Sequence, residues 1–186
     1  MAYSQGFNPH MQLSFALPLP LGMASYNDYA DIVLEHEMPA DEIVSCFNAH
    51  TPEGLRLKGA WEFDGPGAAA LVSVADYLLE PPSDIKAWGI NNTLQALLDR
   101  QSIIIPKKTK SGVKDSDIRP DILSISMEGH SILMRLAAGS GRFLNPLIVA
   151  KLIFEMEASP SSIIRKELYM QDKIKGLMSL YETSVF

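Results

Sequence analysis

Three groups of residues in this chain have types and spacings that could do chemistry. In the first, Ser4, Gln5, Asn8 and His10 surround Phe7 in a loop shaped by Gly6 and Pro9. Hydroxyl, amide and imidazole groups at that density could bind a ligand or a nucleotide, with the Phe7 ring as a stacking platform. They could equally do no more than satisfy the backbone of a tight turn, with Phe7 plugging the core. The second group is basic: Lys107, Lys108, Lys110, Lys114 and Arg119 share one short stretch broken by Ser111-Gly112 and Asp115. It reads as a hairpin loop, either a binding patch or a solvated turn. The third group is acidic. Asp31 and Asp117 are the carboxylates to test as general bases or nucleophiles, provided a pocket with Arg119 or Arg142 closes around one of them. Without such a pocket Asp31 faces solvent, and Asp117 pairs with Arg119 or caps a turn.

Other chemistries find less support. His10, His36, His50, His130 and Cys46 show none of the paired spacings of a zinc site, so no metal site is expected. A single cysteine cannot form an internal disulfide or hold an iron–sulfur cluster on this chain's thiolates alone. Cys46 is expected to pack as a small apolar group on the buried side of a helix. Neither it nor Ser4 lies in a nucleophile motif such as Gly-x-Ser-x-Gly. The loop Gly139-Ser140-Gly141-Arg142 precedes a helix whose first N–H groups could hold a phosphate. It lacks both the Gly-Lys-Ser/Thr ending of a P-loop and Rossmann glycine spacing, so a plain connection is the competing reading. No cofactor motif is present, and no cofactor is expected.

Composition sets the frame for these groups. At 186 residues, 47% hydrophobic and 20% charged, the chain can build a core as one medium domain or two closely packed halves. Its net charge of −6 argues against strong non-specific attraction to nucleic acid, although the lysine stretch is a local exception. No apolar run approaches the roughly 20 residues needed to span a bilayer, and no signal-peptide pattern opens the chain. A cytosolic protein without a membrane partner is expected.

The elements that must position these residues alternate strands and helices. Residues 13–17 read as a strand, with Leu13, Phe15 and Leu17 alternating, and residues 29–34 as a second, joined by the turn Ser25-Tyr26-Asn27-Asp28. Pro39 can occupy the first turn of a helix, with Asp41 and Glu42 near its positive end and Ile43 and Phe47 on one face, and Thr51-Pro52-Glu53-Gly54 stops it. Leu55, Leu57 and Trp61 predict a third strand. Beyond Gly65-Pro66-Gly67, residues 71–79 read as a strand. Ser83 then caps a helix carrying Ile85, Trp88, Leu94, Leu97 and Leu98. Ile103-Ile104-Ile105 runs into the lysine loop. Residues 118–127 and 132–136 form a hairpin around Glu128-Gly129-His130. Asn145-Pro146 opens a helix with Ile148, Leu152 and Met156 on one face, and residues 163–170 read as a closing strand, with a helix the alternative for so charged a segment.

The expected fold class is α+β, built from tandem ferredoxin-like (βαββαβ) units. Residues 67–186 supply a whole unit, and residues 1–66 supply the last four elements of another (ββαβ), packed with it as one body. A unit lacking its first strand and helix leaves a sheet edge and an apolar sheet face uncovered. Leu13, Phe15 or Leu17 should then be more exposed than a core strand allows, unless a second copy or another chain covers them. On this count Met1 need not be the true start.

At this point the residues carry a resemblance. Tyr3-Ser4-Gln5-Gly6-Phe7-Asn8-Pro9-His10, followed by residues 13–22 and Asp31-Ile32, resembles the opening motif of the radical-SAM-linked domain family, a bacterial domain of unknown function (DUF2344-like). Lys107-Lys108, Asp117-Ile118-Arg119-Pro120, residues 139–146 and Ile164-Arg165 through Tyr169 look like later landmarks of that family. The resemblance implies a partner, because similar domains occur beside or fused to radical SAM proteins with cobalamin-binding regions. It also implies a strand and a helix ahead of the opening motif.

Two functions follow. In the first, the chain is a non-catalytic binding or adaptor module that serves a radical SAM protein by presenting an RNA or protein substrate. In the second, it is an RNA-modifying enzyme that uses an aspartate in the cleft between its two halves. Paired ferredoxin-like units also occur in tRNA pseudouridine synthases, a fold-level analogy.

Overall fold

A computed structural model describes residues 1–83, 87–109 and 112–182, and for residues 87, 88, 108 and 109 it describes the backbone alone. Ile85, Lys110 and Ser111, and the side chains of Trp88 and Lys108, therefore lie outside the described residues. The first strands are short: β1 (Leu13–Phe15), β2 (Ala24–Ser25) and β3 (Ala30–Ile32). Helix α1 (Ala40–His50) starts after Pro39, which stands at the N-cap with its carbonyl accepting from the Glu42 and Ile43 N–H groups. Helix α2 (Ala68–Leu71) precedes β4 (Val72–Leu79), so the alanine run is helical and the strand begins one residue later than the pattern predicts. Then come α3 (Ala87–Leu98), β5 (Ile104–Thr109), β6 (Gly112–Asp117), β7 (Ile122–Glu128) and β8 (Ser131–Ala137). Helix α4 (Pro146–Phe154), β9 (Ile163–Asp172) and β10 (Gly176–Ser179) complete the order.

The main sheet runs β10-β9-β4-β8-β7, with every neighbour in that path antiparallel and β2 added parallel to β9 through Ala24↔Ile164 and Ser25↔Arg165. Taken in chain order, β4, β7, β8 and β9 therefore sit in the spatial sequence fourth, first, third, second. With α3 and α4 as crossovers, this is the order of the split βαβ unit. Register and burial define the two faces. Ala75, Tyr77 and Leu79 oppose Leu136, Met134 and Ile132, and all six are at most 2% exposed. They form one core with Ile90, Leu94 and Leu97 of α3 and Val149, Ala150 and Ile153 of α4. At about 1.5–3 kcal/mol for each large apolar side chain removed from water, this face supplies most of the driving force for folding. The alternate residues, among them Asp76, Leu78, Leu133, Arg135 and Ser124, point to the face without helices.

Residues 1–66 do not repeat this unit. β1 and β3 pair with each other through Leu13↔Ile32, Ser14↔Asp31 and Phe15↔Ala30, and with no other strand among the described residues. The strand expected at Leu55, Leu57 and Trp61 is absent. The Leu57 N–H and carbonyl bond Oδ1 and Nδ2 of Asn48 on α1, at 2.8 and 2.9 Å, instead of entering a ladder. Trp61 packs edge-on against Tyr29 and Tyr181. Helix α1 buries none of its residues, and Cys46, expected on a buried side, is exposed. Leu13 and Phe15 are 38% and 58% exposed, whereas Ala16 is buried and Leu17 half-buried.

Three buried or half-buried polar groups tie this half to the sheet. Arg165 is 1% exposed, and its guanidinium donates to Asp28 Oδ1 at 2.5 and 2.9 Å and to the Leu17 and Pro18 carbonyls at 2.9 and 3.2 Å. The Tyr29 hydroxyl donates to Glu167 Oε1 at 2.8 Å, and Asn27 Nδ2 donates to Glu167 Oε2 at 3.0 Å. Burial, reinforced by that carboxylate, holds the Tyr29 hydroxyl well above its ordinary range.

Candidate binding surfaces

The opening loop is closed at its neck and bare at its tip. Tyr3 bridges Met11, the Ser4 N–H donates to the His10 carbonyl at 2.8 Å, and the His10 N–H donates to Ser4 Oγ at 3.0 Å. Ser4 is thus occupied by the turn itself. Gly6 has a φ of 143°, a conformation that side chains with a Cβ rarely adopt, and it turns the chain at the tip. Gln5, Asn8 and His10 are exposed, and Phe7 is 100% exposed, so it does not plug the core. A ring held fully in water on a closed loop is available for contact with another molecule.

The basic stretch is a hairpin, as its pattern predicts. β5 and β6 pair from Ile104↔Asp117 to Thr109↔Gly112, which sets Lys107 directly opposite Lys114, both exposed. Asp117 locks the base: its Oδ1 accepts from the Ile103 N–H at 2.8 Å and the Arg119 N–H at 3.0 Å. Those two bonds favour the carboxylate and hold its pKa below the usual range. Arg119 caps the end of α3, donating to the Leu98 carbonyl from Nε and Nη2 and to the Ile122 carbonyl from Nη1. It lies in the turn Arg119–Asp121, a single helical turn that delays β7 to Ile122. Arg142 pairs with Asp121 at 2.6 Å. The α4 N-terminus behind it is satisfied by its own cap, Asn145 Oδ1 accepting from the Leu147 N–H at 3.0 Å.

Asp31 is also a cap. Its Oδ2 accepts from the Ala68 N–H at 2.8 Å, the first residue of α2. Asp31 therefore sits beside the β9 side of the sheet, and Asp117 just ahead of β7 at the other edge. The two aspartates are not brought together: the Arg119 guanidinium is taken by the Leu98 and Ile122 carbonyls, and Arg142 is paired with Asp121. Among the described residues no three His, Cys, Asp or Glu side chains cluster as a metal site would require.

The charged residue that the sheet does centre is one the motif reading passes over. Asp76, 2% exposed in mid-β4, takes Arg135 Nε and Nη2 on its two oxygens, both at 2.7 Å, and the Tyr169 hydroxyl on Oδ2 at 3.0 Å. The Arg135 guanidinium also lies 5.1 Å above the centre of the Tyr169 ring. Burial, with the Asp76 charge next, pushes the Tyr169 hydroxyl up to about 12, and hydrogen bonding to Asp76 raises Arg135 further. The signal was present as an acid inside the apolar run of residues 71–79 and an arginine inside that of residues 132–136. An ionised side chain in such a run needs a partner to be buried.

A match to a family of known sequences covers most of the chain. The uncharacterized protein conserved in bacteria (DUF2344) matches residues 1–146. The chain belongs to this family. The DUF2344 match takes in the opening loop, the lysine hairpin, Asp76, Arg135 and the start of α4, and ends before β9. No curated protein and no solved structure matches the chain. No helix among the described residues is long and apolar enough to cross a membrane.

Proposed function

We propose that this DUF2344 chain is a non-catalytic adaptor in the cytosol that docks a partner polypeptide on residues 1–66. One observation carries the reading. Ser14 and Asp31 share the face of the β1–β3 hairpin that meets α2, so Leu13, Phe15, Ala30 and Ile32 share the face turned away from it, and all four are exposed. Helix α1 adds Ile43, Val44 and Phe47 without burying any of them. A two-stranded sheet with an apolar face is marginal in water and gains most from a polypeptide laid over it. The resemblance to domains that accompany radical SAM proteins supplies the class of partner, a radical SAM protein with a cobalamin-binding region.

Sedimentation of the purified chain with a purified radical SAM protein that carries a cobalamin-binding region tests the proposal. A complex is expected with the unsubstituted chain and should be lost in the Phe15→Asp and Phe47→Asp variants. These exposed positions leave the core unaltered, so the variants should melt as the parent does. Absence of a complex, or equal binding by the two variants, would overturn it. So would a tight homodimer that hides Phe15, because the face would then belong to a second copy.

A further inference from the structure

We propose that the helix-free face of the main sheet is a binding site for a single strand of nucleic acid, with Arg135 as its base-reading residue. The inference rests on residues other than the β1–β3 face and stands independently of the adaptor reading. On this face the fork of Arg135 is fixed from behind: Asp76, itself buried, takes Nε and Nη2. The outer part of the guanidinium stays open, since 34% of the Arg135 side chain is exposed. Tyr169 supports it from below. Ser124 lies directly across the register from Arg135, and Ser126 across from Leu133, both with exposed side chains on the outer strand. Half-buried Leu78, Leu133 and Ile164 continue the floor beside them.

Charge decides the kind of ligand. Asp76 neutralises Arg135, so the pair offers directed donors more than a net positive charge, which suits the acceptor edge of a base better than a phosphate. Guanidinium planes and aromatic rings on an open sheet also stack unpaired bases. Two further acids bound the site. Glu128, at the far end of β7, is tied up by Lys166 of β9 at 2.5 Å, a pair that crosses β8 and β4 and closes that end of the face. Glu167, opposite Asp76, accepts from Tyr29 and Asn27 and closes the β9 side. Phosphate binding has its own source. The β5–β6 hairpin leads into β7 and holds Lys107 opposite Lys114, a like-charge pair that costs stability unless an anion joins it. A base on the sheet and phosphates on the hairpin together describe one strand.

Fluorescence anisotropy with 12-nucleotide RNA and DNA of one mixed sequence, single-stranded and duplex, tests this over a range of salt. Single strands should bind and duplexes should not. Tighter binding of RNA would name RNA as the source, and tighter binding of DNA would name DNA. Arg135→Lys keeps the charge and loses the fork, so it should weaken binding about tenfold with an unchanged salt slope. Ser124→Asp should do the same while leaving the melting temperature in place, which separates lost binding from lost folding. Lys107→Ala with Lys114→Ala should instead flatten the slope by about 1.4, at roughly 0.7 for each single-strand phosphate no longer neutralised. No binding, duplex bound as tightly as single strands, or unchanged affinity in both Arg135→Lys and Ser124→Asp would overturn the proposal.

Discussion

A carboxylate on a short stem cannot leave a sheet interior, whereas a guanidinium on a long one can turn to water. Asp76 and Arg135 are placed on opposite sides of that difference, at 3% and 34% side-chain exposure. Arg135→Ala strands a buried negative charge and should cost about 3 kcal/mol. Asp76→Asn strands no charge, because Arg135 can re-aim outward, and should cost clearly less. Urea unfolding of both variants checks the order, and a costlier Asp76→Asn would contradict it. The same cluster predicts a pH effect. Tyr169 is pushed up to about 12 in the fold, against about 10 in an unfolded chain. The folded state thus holds this proton more tightly than the unfolded one. Its contribution to stability is complete below pH 10 and is lost as the pH rises from about 10 to about 12. Tyr29, raised for the same reason, adds to the loss. Urea midpoints between pH 8 and 12 should fall steeply for the parent chain and less for Tyr169→Phe. An equal fall in both would remove Tyr169 from the account.

At the scale of elements, α4 shows what a local signal can settle. Asn145 bonds the Leu147 N–H, Pro146 fills the first helical position, and Glu155 ends the helix in the left-handed region at φ 57°, two residues earlier than a face reaching Met156 predicts. Asn145→Ala should lower stability by about 1 kcal/mol. Glu155→Gly should raise it by a few tenths to about 1 kcal/mol, since glycine adopts that conformation without steric cost. Thermal melts of the two variants should move in opposite directions. Elements set by such local chemistry were legible in the sequence: α4, the β7–β8 hairpin around Gly129, and the lysine hairpin. Those set by a distant partner were not. β2 is a strand because β9 lies beside it, and α2 begins where Asp31, far back in the chain, caps Ala68. Alternation at Leu55, Leu57 and Trp61 promised a strand, but Asn48 and the Tyr29 and Tyr181 rings took those groups instead. The site divides in the same way. Sequence spacing located the basic hairpin, but the roles of Asp31, Asp117 and Arg119 depend on the backbone groups that folding brings to them. Asp76 and Arg135 become a pair only through the β4–β8 register.

The whole molecule is unequal in its support, and this has a measurable consequence. Strands β4, β8 and β9 are paired on both sides or buried against helices, whereas β1, β3 and α1 rest on few buried apolar contacts. Amides of the central strands should therefore exchange with solvent at rates near those of global unfolding, and amides of residues 1–66 much faster. The staple between the two regions is Arg165, which holds Asp28 and the Leu17 and Pro18 carbonyls from inside the sheet. Asp28 keeps a third of its side chain in water, 33%, so it can be solvated when its partner is removed. Arg165→Met fills the buried space with an apolar stem and leaves those carbonyls to water. Its effect should concentrate on the attached region: exchange should accelerate across residues 13–32 while Leu79, Met134 and Leu136 keep their protection. A uniform acceleration would mean that the two regions unfold as one unit. Unchanged exchange in residues 13–32 would mean that Tyr29, Glu167 and the Trp61 contacts hold them without Arg165.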